Sequence, residues 1–126
     1  MSLATLKLPI VLFGAVQLLK YAARRHPDFE ARIKQHDFVA QIVARDEDIG
    51  RWIEFKDGQV TSRAGFHDKP DIKLMFKNAK TGASLLTPPI DWLAQINAQK
   101  DFTLTVEGPE HLTNWFAQTL DRKSVV

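Results

Sequence analysis

The sequence predicts an α+β domain: a five-stranded, mostly antiparallel sheet covered on one face by helices. Three observations lead there. Five short segments alternate apolar and polar residues with the period of a strand. An Asp-Gly pair, Asp57-Gly58, joins two of those segments, the strongest short-range signal of a hairpin. Segments with helical spacing precede, interrupt and follow the strands, and strands with one greasy face need such helices as cover. With 126 residues, 44% apolar and 25% charged, the chain has the material for one core and no room for two.

The chain opens on "LKLPIVLFGAVQLLKYAARR", Leu6 to Arg25. Pro9 suits the first turn of a helix, where its missing N–H costs nothing. Up to Val16 the helix is apolar nearly all round. Beyond Gln17 it narrows to one face, Leu18, Leu19, Ala22 and Ala23, with Lys20, Arg24 and Arg25 outside it. The run from Leu8 to Leu19, interrupted by Gln17 and ended by Lys20, falls short of the about 20 apolar residues that span a bilayer. The bulk and charge of Tyr21-Ala22-Ala23-Arg24-Arg25 stand where a secretory signal needs a small-x-small cleavage site. Such a helix docks into an apolar groove of its own domain, onto a partner protein or a second copy, or lies at a membrane surface. Its contact residues are Leu8, Ile10, Val11, Leu12 and Phe13, with Lys20, Arg24 and Arg25 as a cationic edge.

His26-Pro27-Asp28 breaks that helix and starts a short one reaching Gln35, buried through Phe29 and Ile33. The period then changes. Phe38, Ala40, Ile42 and Ala44 form the clean face of a first strand, and Asp46 to Gly50 a turn. A second strand carries Ile53 and Phe55, Asp57-Gly58 bends the chain, and Val60 begins the return. Ile72, Leu74 and Phe76 mark a fourth strand; Phe102, Leu104 and Val106 mark a fifth. Between these last two lie two short helices. One ends near Leu86, and the other opens at Thr87 with Pro88 and Pro89 in its first turn and Asp91 at its positive end. Gly108 turns the chain into a closing helix with the stripe Leu112, Trp115, Phe116 and Leu120.

Several chemistries find no support. Without cysteine there is no thiolate nucleophile, no disulfide and no cysteine metal site, which fits a reducing, cytoplasmic setting. His26, His36, His67 and His111 are scattered and form no i, i+4 pair, so no metal is expected. Ser2, Ser62, Ser84 and Ser124 sit in no nucleophile elbow. Asp46, Glu47 and Asp48 read as solvated turn residues. A net charge of +2 with mixed signs gives no basic stripe for nucleic acid, and the tryptophans and phenylalanines read as core rather than stacking platforms. The expectation is a non-enzyme that needs no cofactor.

From Phe38 to Leu120 the chain resembles the sterol carrier protein 2 (SCP2) family of small lipid-binding domains. Trp52, Lys56, Gly58 and Val60, the acid-led strand "PDIKLMF", the paired-helix insertion and the "DFTLTVEG" step into the last helix carry the resemblance, in order. It divides the chain into an extra apolar N-terminal helix, residues 1–26, and an SCP2-like domain, residues 27–126. It departs from the family where glycines are usual, at Leu86-Thr87-Pro88-Pro89 and Asn97-Ala98-Gln99-Lys100. What the resemblance implies is a cavity between sheet and helices that takes a fatty acyl, sterol-like or isoprenoid lipid. The best lining residues are Leu85, Leu86, Ile90, Leu93, Ile96, Phe102, Leu104, Leu112, Trp115 and Phe116. Two functions remain. One is a non-catalytic carrier of an apolar small molecule, peripheral to the membrane through its first helix. The other is a filled-core interaction module whose first helix docks on a partner or dimerises.

Overall fold

The computed structural model describes the backbone of residues 3–86 and 91–122 and the side chains of residues 10–86 and 91–119. In chain order the elements are α1 (Leu3–Arg25), α2 (Pro27–Ile33), β1 (Phe38–Ala44), β2 (Ile49–Lys56), β3 (Gln59–Ala64), β4 (Ile72–Phe76), α3 (Ala79–Leu86), α4 (Trp92–Lys100), β5 (Leu104–Glu107) and α5 (Glu110–Arg122). The five strands form one sheet in the order β3-β2-β1-β4-β5. Its pairs are antiparallel except β1 with β4, which run parallel, so the sheet is mixed.

That parallel pair follows from the hairpins. Two tight turns make β3 run with β1, and β4 joins β1 on its free side in the same direction, so residues 65–71 must cross the sheet. They cross the face away from the helices. Gln41, which points to that face, donates from Nε2 to the Gly65 carbonyl at 3.0 Å and accepts the His67 N–H on Oε1 at 2.7 Å. His67 meets Trp52 edge-on, with ring centroids 4.9 Å apart. The outer face is therefore not wholly wet: Val39 and Gln41 are buried under the crossover. Asp71 ends the crossing on β1, accepting the Val39 N–H on Oδ2 at 2.7 Å and donating its own N–H to the Val39 carbonyl.

Local chemistry sets the turns. Asp57 and Gly58 both adopt positive φ, 52° and 77°, the two-residue hairpin geometry whose twist matches the flanking strands. Gly108 (φ 118°) passes so close to the start of β4 that a Cβ there would lie 2.6 Å from the Asp71 carbonyl oxygen. Glu47 has a task that its turn context hid. Its carboxylate accepts the Ala79 N–H at 3.2 Å, and Asn78 Oδ1 accepts the Thr81 N–H at 2.8 Å, so the two cap α3.

Several boundaries differ from the periodic reading. α2 ends at Ile33 rather than Gln35, and β2 starts before Gly50. β5 starts at Leu104, because Phe102 takes φ 63° while its N–H reaches back to the Gln99 carbonyl and prolongs the end of α4. α4 starts at Trp92, with Asp91 as its cap: Oδ1 accepts the Ala94 N–H at 3.0 Å. The helix start expected at Thr87, Pro88 and Pro89 lies outside the described residues, as do the side chains of Ile90 and Leu120.

The core lies between the sheet and the helices. Phe38 and Phe55, paired across β1 and β2, stack 4.9 Å apart, and Trp115 and Phe116 of α5 meet both rings edge-on. Arg32 of α2 holds the buried face of α5 one turn further on, donating from Nε to Thr119 Oγ1 at 2.8 Å with its guanidinium over Trp115. α1 shares this core. Leu12, Ala15, Val16, Leu19 and Ala22 form its buried stripe, and it packs against α2, β3 and the small residues Ala79, Gly82 and Ala83 of α3. The other face, with Ile10, Phe13, Leu18 and Tyr21, is exposed.

The two faces of α1 make opposite predictions. Leu19 is 0% exposed and Leu18 is 50% exposed. Leu19→Ala should lower the unfolding free energy by about 2–5 kcal/mol. Leu18→Ala should stay within about 0.5 kcal/mol. Urea titration followed by circular dichroism measures both, and equal effects would mean that α1 is not seated in the core.

Candidate functional site

The helical layer is uneven. α5 is anchored by its aromatic residues and α3 by Ala79, Ala83 and Leu86, but α4 buries only Ala98. The arrangement of α4 is inverted. Ala94 and Ala98 turn toward α3, while on the opposite arc Trp92 and Ile96 stand half-exposed on the side of α5 and Leu93 points outward. One side-chain bond helps hold it, from Gln95 Nε2 to the Leu85 carbonyl at 3.3 Å.

Because α4 stands off, a groove of about 450 Å³ opens between α4 and α5 over the β4–β5 end of the sheet. Its floor is Leu74, Leu104 and Val106, side chains on the helix-facing side of β4 and β5. Trp92 and Ile96 form the α4 wall. The α5 wall is the flank that turns away from the aromatic cluster, with Thr113, Asn114 and Ala117. Gln95, Gln99 and Glu110 complete a polar rim. An apolar floor, a few convergent polar groups and a volume within the about 300–1,000 Å³ of small-molecule sites make this groove the candidate site.

Two other hollows carry more charged side chains. One, of about 590 Å³, lies on the opposite side of α4 against α3, with Leu85, Lys80, Asn97 and Asp101. There the Asp101 carboxyl is held below the ordinary aspartate value by the Thr103 side chain and by the Thr103 N–H, which it accepts at 3.0 Å. The other, of about 460 Å³, lies between the end of α1 and the β2–β3 hairpin, beside Lys20, Arg24 and Glu30. No group of three or more histidine, cysteine, aspartate or glutamate side chains suited to a metal occurs among the described residues.

The structure distributes the sequence-derived lining residues among several environments. Ile96 and Leu104 line the groove. Leu86, Trp115 and Phe116 are buried in the core, with Leu112 packed against it, and Leu85 borders the α3–α4 hollow. Leu93 and Phe102 are 68% and 73% exposed, on the outer side of α4 and just past its end. Of the α1 contact set, Ile10 and Phe13 face outward, Val11 packs at the edge of the core, and Leu12 is buried within it. Lys20 lies half-buried beside Arg24, and Arg25 is exposed with its guanidinium 5.2 Å from the Tyr21 ring. Leu8 and Ile90 lie outside the described side chains. Leu74, Val106 and Trp92 were not anticipated as lining. Leu74 and Val106 share their strand faces with predicted core residues, so alternation alone could not separate groove from core. Gln95, Gln99, Glu110 and Asn114 carry no apolar signal at all.

No family model matches the sequence, and no curated protein matches it. Solved structures do. The chain is similar to a UbiJ-SCP2 ubiquinone synthesis protein, at 17% identity and a TM-score of 0.68 over 94% of both chains. It is also similar to palmitated SCP2L2 from Aedes aegypti, at 14% identity and a TM-score of 0.56 over 95% of both chains. A sec-alkylsulfatase, Pisa1 from Pseudomonas sp., matches over 73% of this chain and 14% of the enzyme, at 20% identity and a TM-score of 0.58. The fold is that of an SCP2-like domain. The match to UbiJ-SCP2 runs through nearly the whole chain, most of α1 included.

Proposed function

We propose that the protein binds one apolar small molecule, a fatty acyl, sterol-like or isoprenoid lipid, in the groove between α4 and α5, and carries it without chemical change. The observation that carries this reading is the inversion of α4: alanines face the domain, and Trp92 and Ile96 face a groove floored by Leu74, Leu104 and Val106. Large side chains left outside a core stay in water unless something covers them, and an apolar ligand would do so. Each methylene buried there contributes about 0.8 kcal/mol, so a long chain binds firmly with few hydrogen bonds. The names of two structural neighbours, one palmitated and one a ubiquinone synthesis protein, support a lipid as cargo. Nothing in the groove requires a catalytic group.

Native mass spectrometry of the purified protein, with solvent extraction of whatever dissociates, tests this reading. A stoichiometric lipid is expected in the wild type. Ile96→Asp, at a half-exposed position where the fold tolerates charge, should lose it with an unchanged circular dichroism spectrum. A protein that neither retains lipid nor takes up an added long-chain lipid would leave the groove without a cargo.

The exposed face of α1 supplies a route to such cargo. Ile10, Phe13, Leu18 and Tyr21 lie in water on this face, residues 1–25 contain no acid, and the helix ends in Arg24 and Arg25. No helix among the described residues is long and apolar enough to cross a membrane. Apolar side chains beside the cations of a helix without acids match an anionic bilayer surface, with each near-surface cation worth about 1 kcal/mol. Phosphatidylserine-containing vesicles should sediment the protein, phosphatidylcholine vesicles much less, and Phe13→Asp should release it. Equal sedimentation with both compositions would contradict an electrostatic contribution.

A further inference from the structure

We infer that the groove selects ligands with an uncharged, hydrogen-bonding head and disfavours carboxylates and phosphates. The inference rests on the lipid reading above and specifies which lipids qualify. Around the apolar floor the rim offers the amides of Gln99 and Asn114, the carbonyl of the Gln95 amide, whose Nε2 already donates to Leu85, and the Thr113 hydroxyl as an acceptor, since it donates to the Glu110 backbone carbonyl. Among the described lining residues Glu110 carries the single formal charge, and it is negative; no lysine, arginine or histidine is among them.

This is placement rather than scarcity. The chain has 17 lysines and arginines. Lys80 borders the hollow on the other side of α4, and Lys20 and Arg24 border the cleft at the end of α1. Both of those hollows thus have a cation at the edge, and the groove between α4 and α5 has none among its described lining residues.

The consequence follows from solvation. When the tail enters, the head comes to rest among the rim groups and gives up part of its water. A hydroxyl or neutral carbonyl exchanges water for amide and hydroxyl partners at little net cost. A carboxylate or phosphate loses hydration that neutral groups restore only in part, and it meets the Glu110 carboxylate with no cation to offset the repulsion. Because Glu110 sits at an exposed rim, where water screens strongly, the discrimination from charge alone is modest, about fivefold.

The test holds the tail constant. Binding of 1-dodecanol, dodecanoate and dodecanoyl-CoA to the delipidated full chain is measured by isothermal titration at pH 7.5 and low ionic strength, with Glu110→Gln and Glu110→Lys alongside. The alcohol should bind about fivefold or more tighter than the carboxylate. Glu110→Gln should narrow that ratio, and Glu110→Lys should reverse it. Dodecanoate or the CoA ester binding the wild type as tightly as the alcohol would overturn the inference while leaving the lipid groove standing. A ratio unmoved by both variants would also overturn it, because the head would then not meet Glu110. Failure of all three ligands to bind would remove the groove reading itself, and the inference with it.

Discussion

The rest of the structure depends on four aromatic rings. Phe38 and Phe55 stack across β1 and β2, and Trp115 and Phe116 close on them edge-first from α5. This cluster fixes α5 over one side of the sheet, and the Trp115 Nε1–H, donated to Gln35 Oε1 at 3.0 Å, leaves its polar atom satisfied. Once α5 is pinned there, its opposite flank has no sheet residues of its own to cover. It becomes a wall. Among the described residues α4 has no comparable anchor, and its inward residues are alanines. A fixed wall facing a loosely seated one, over an apolar floor, is a physical recipe for a groove.

Topology extends the same logic. The crossover clamped by Gln41 places β4 beside β1, and β5 beyond β4, outside the reach of the aromatic cluster. Had β4 paired with β3 as a simple meander, the strands would have stacked on the other edge. The sheet beneath α4 would then have lacked Leu74, Leu104 and Val106. Gln41 therefore acts at a distance from the groove it makes possible. It is buried, yet both ends of its amide are paired, which is the condition for a polar side chain in such a place.

Much of the fold was legible in the sequence. Alternation found all five strands, Asp57-Gly58 announced its hairpin, and the greasy faces called for helical cover on one side. The parallel pair was not visible, because nothing local in residues 65–71 says which strand they reach. The site was less legible than the fold. Periodicity marks apolar residues without saying what touches them, so Trp115, Phe116 and Leu86, which fill the core, looked the same as Leu104, which is buried in the core and floors the groove, and Ile96, which lines it half-exposed. Phe102 followed the strand pattern of "DFTLTVEG" until the α4 terminus drew it into a left-handed turn. Leu12 and Ile10 likewise belong to one apolar run in sequence and to opposite faces in space.

The account stands on where a ligand lies. Isotope-filtered NMR with a perdeuterated, methyl-labelled protein and protonated 1-dodecanol measures this directly. The account predicts contacts from the ligand methylenes to the methyls of Leu74, Ile96, Leu104 and Val106, and none to Val60 at the α1 cleft or Leu85 in the α3–α4 hollow. Contacts confined to either of those hollows, or to the exposed face of α1, would contradict it.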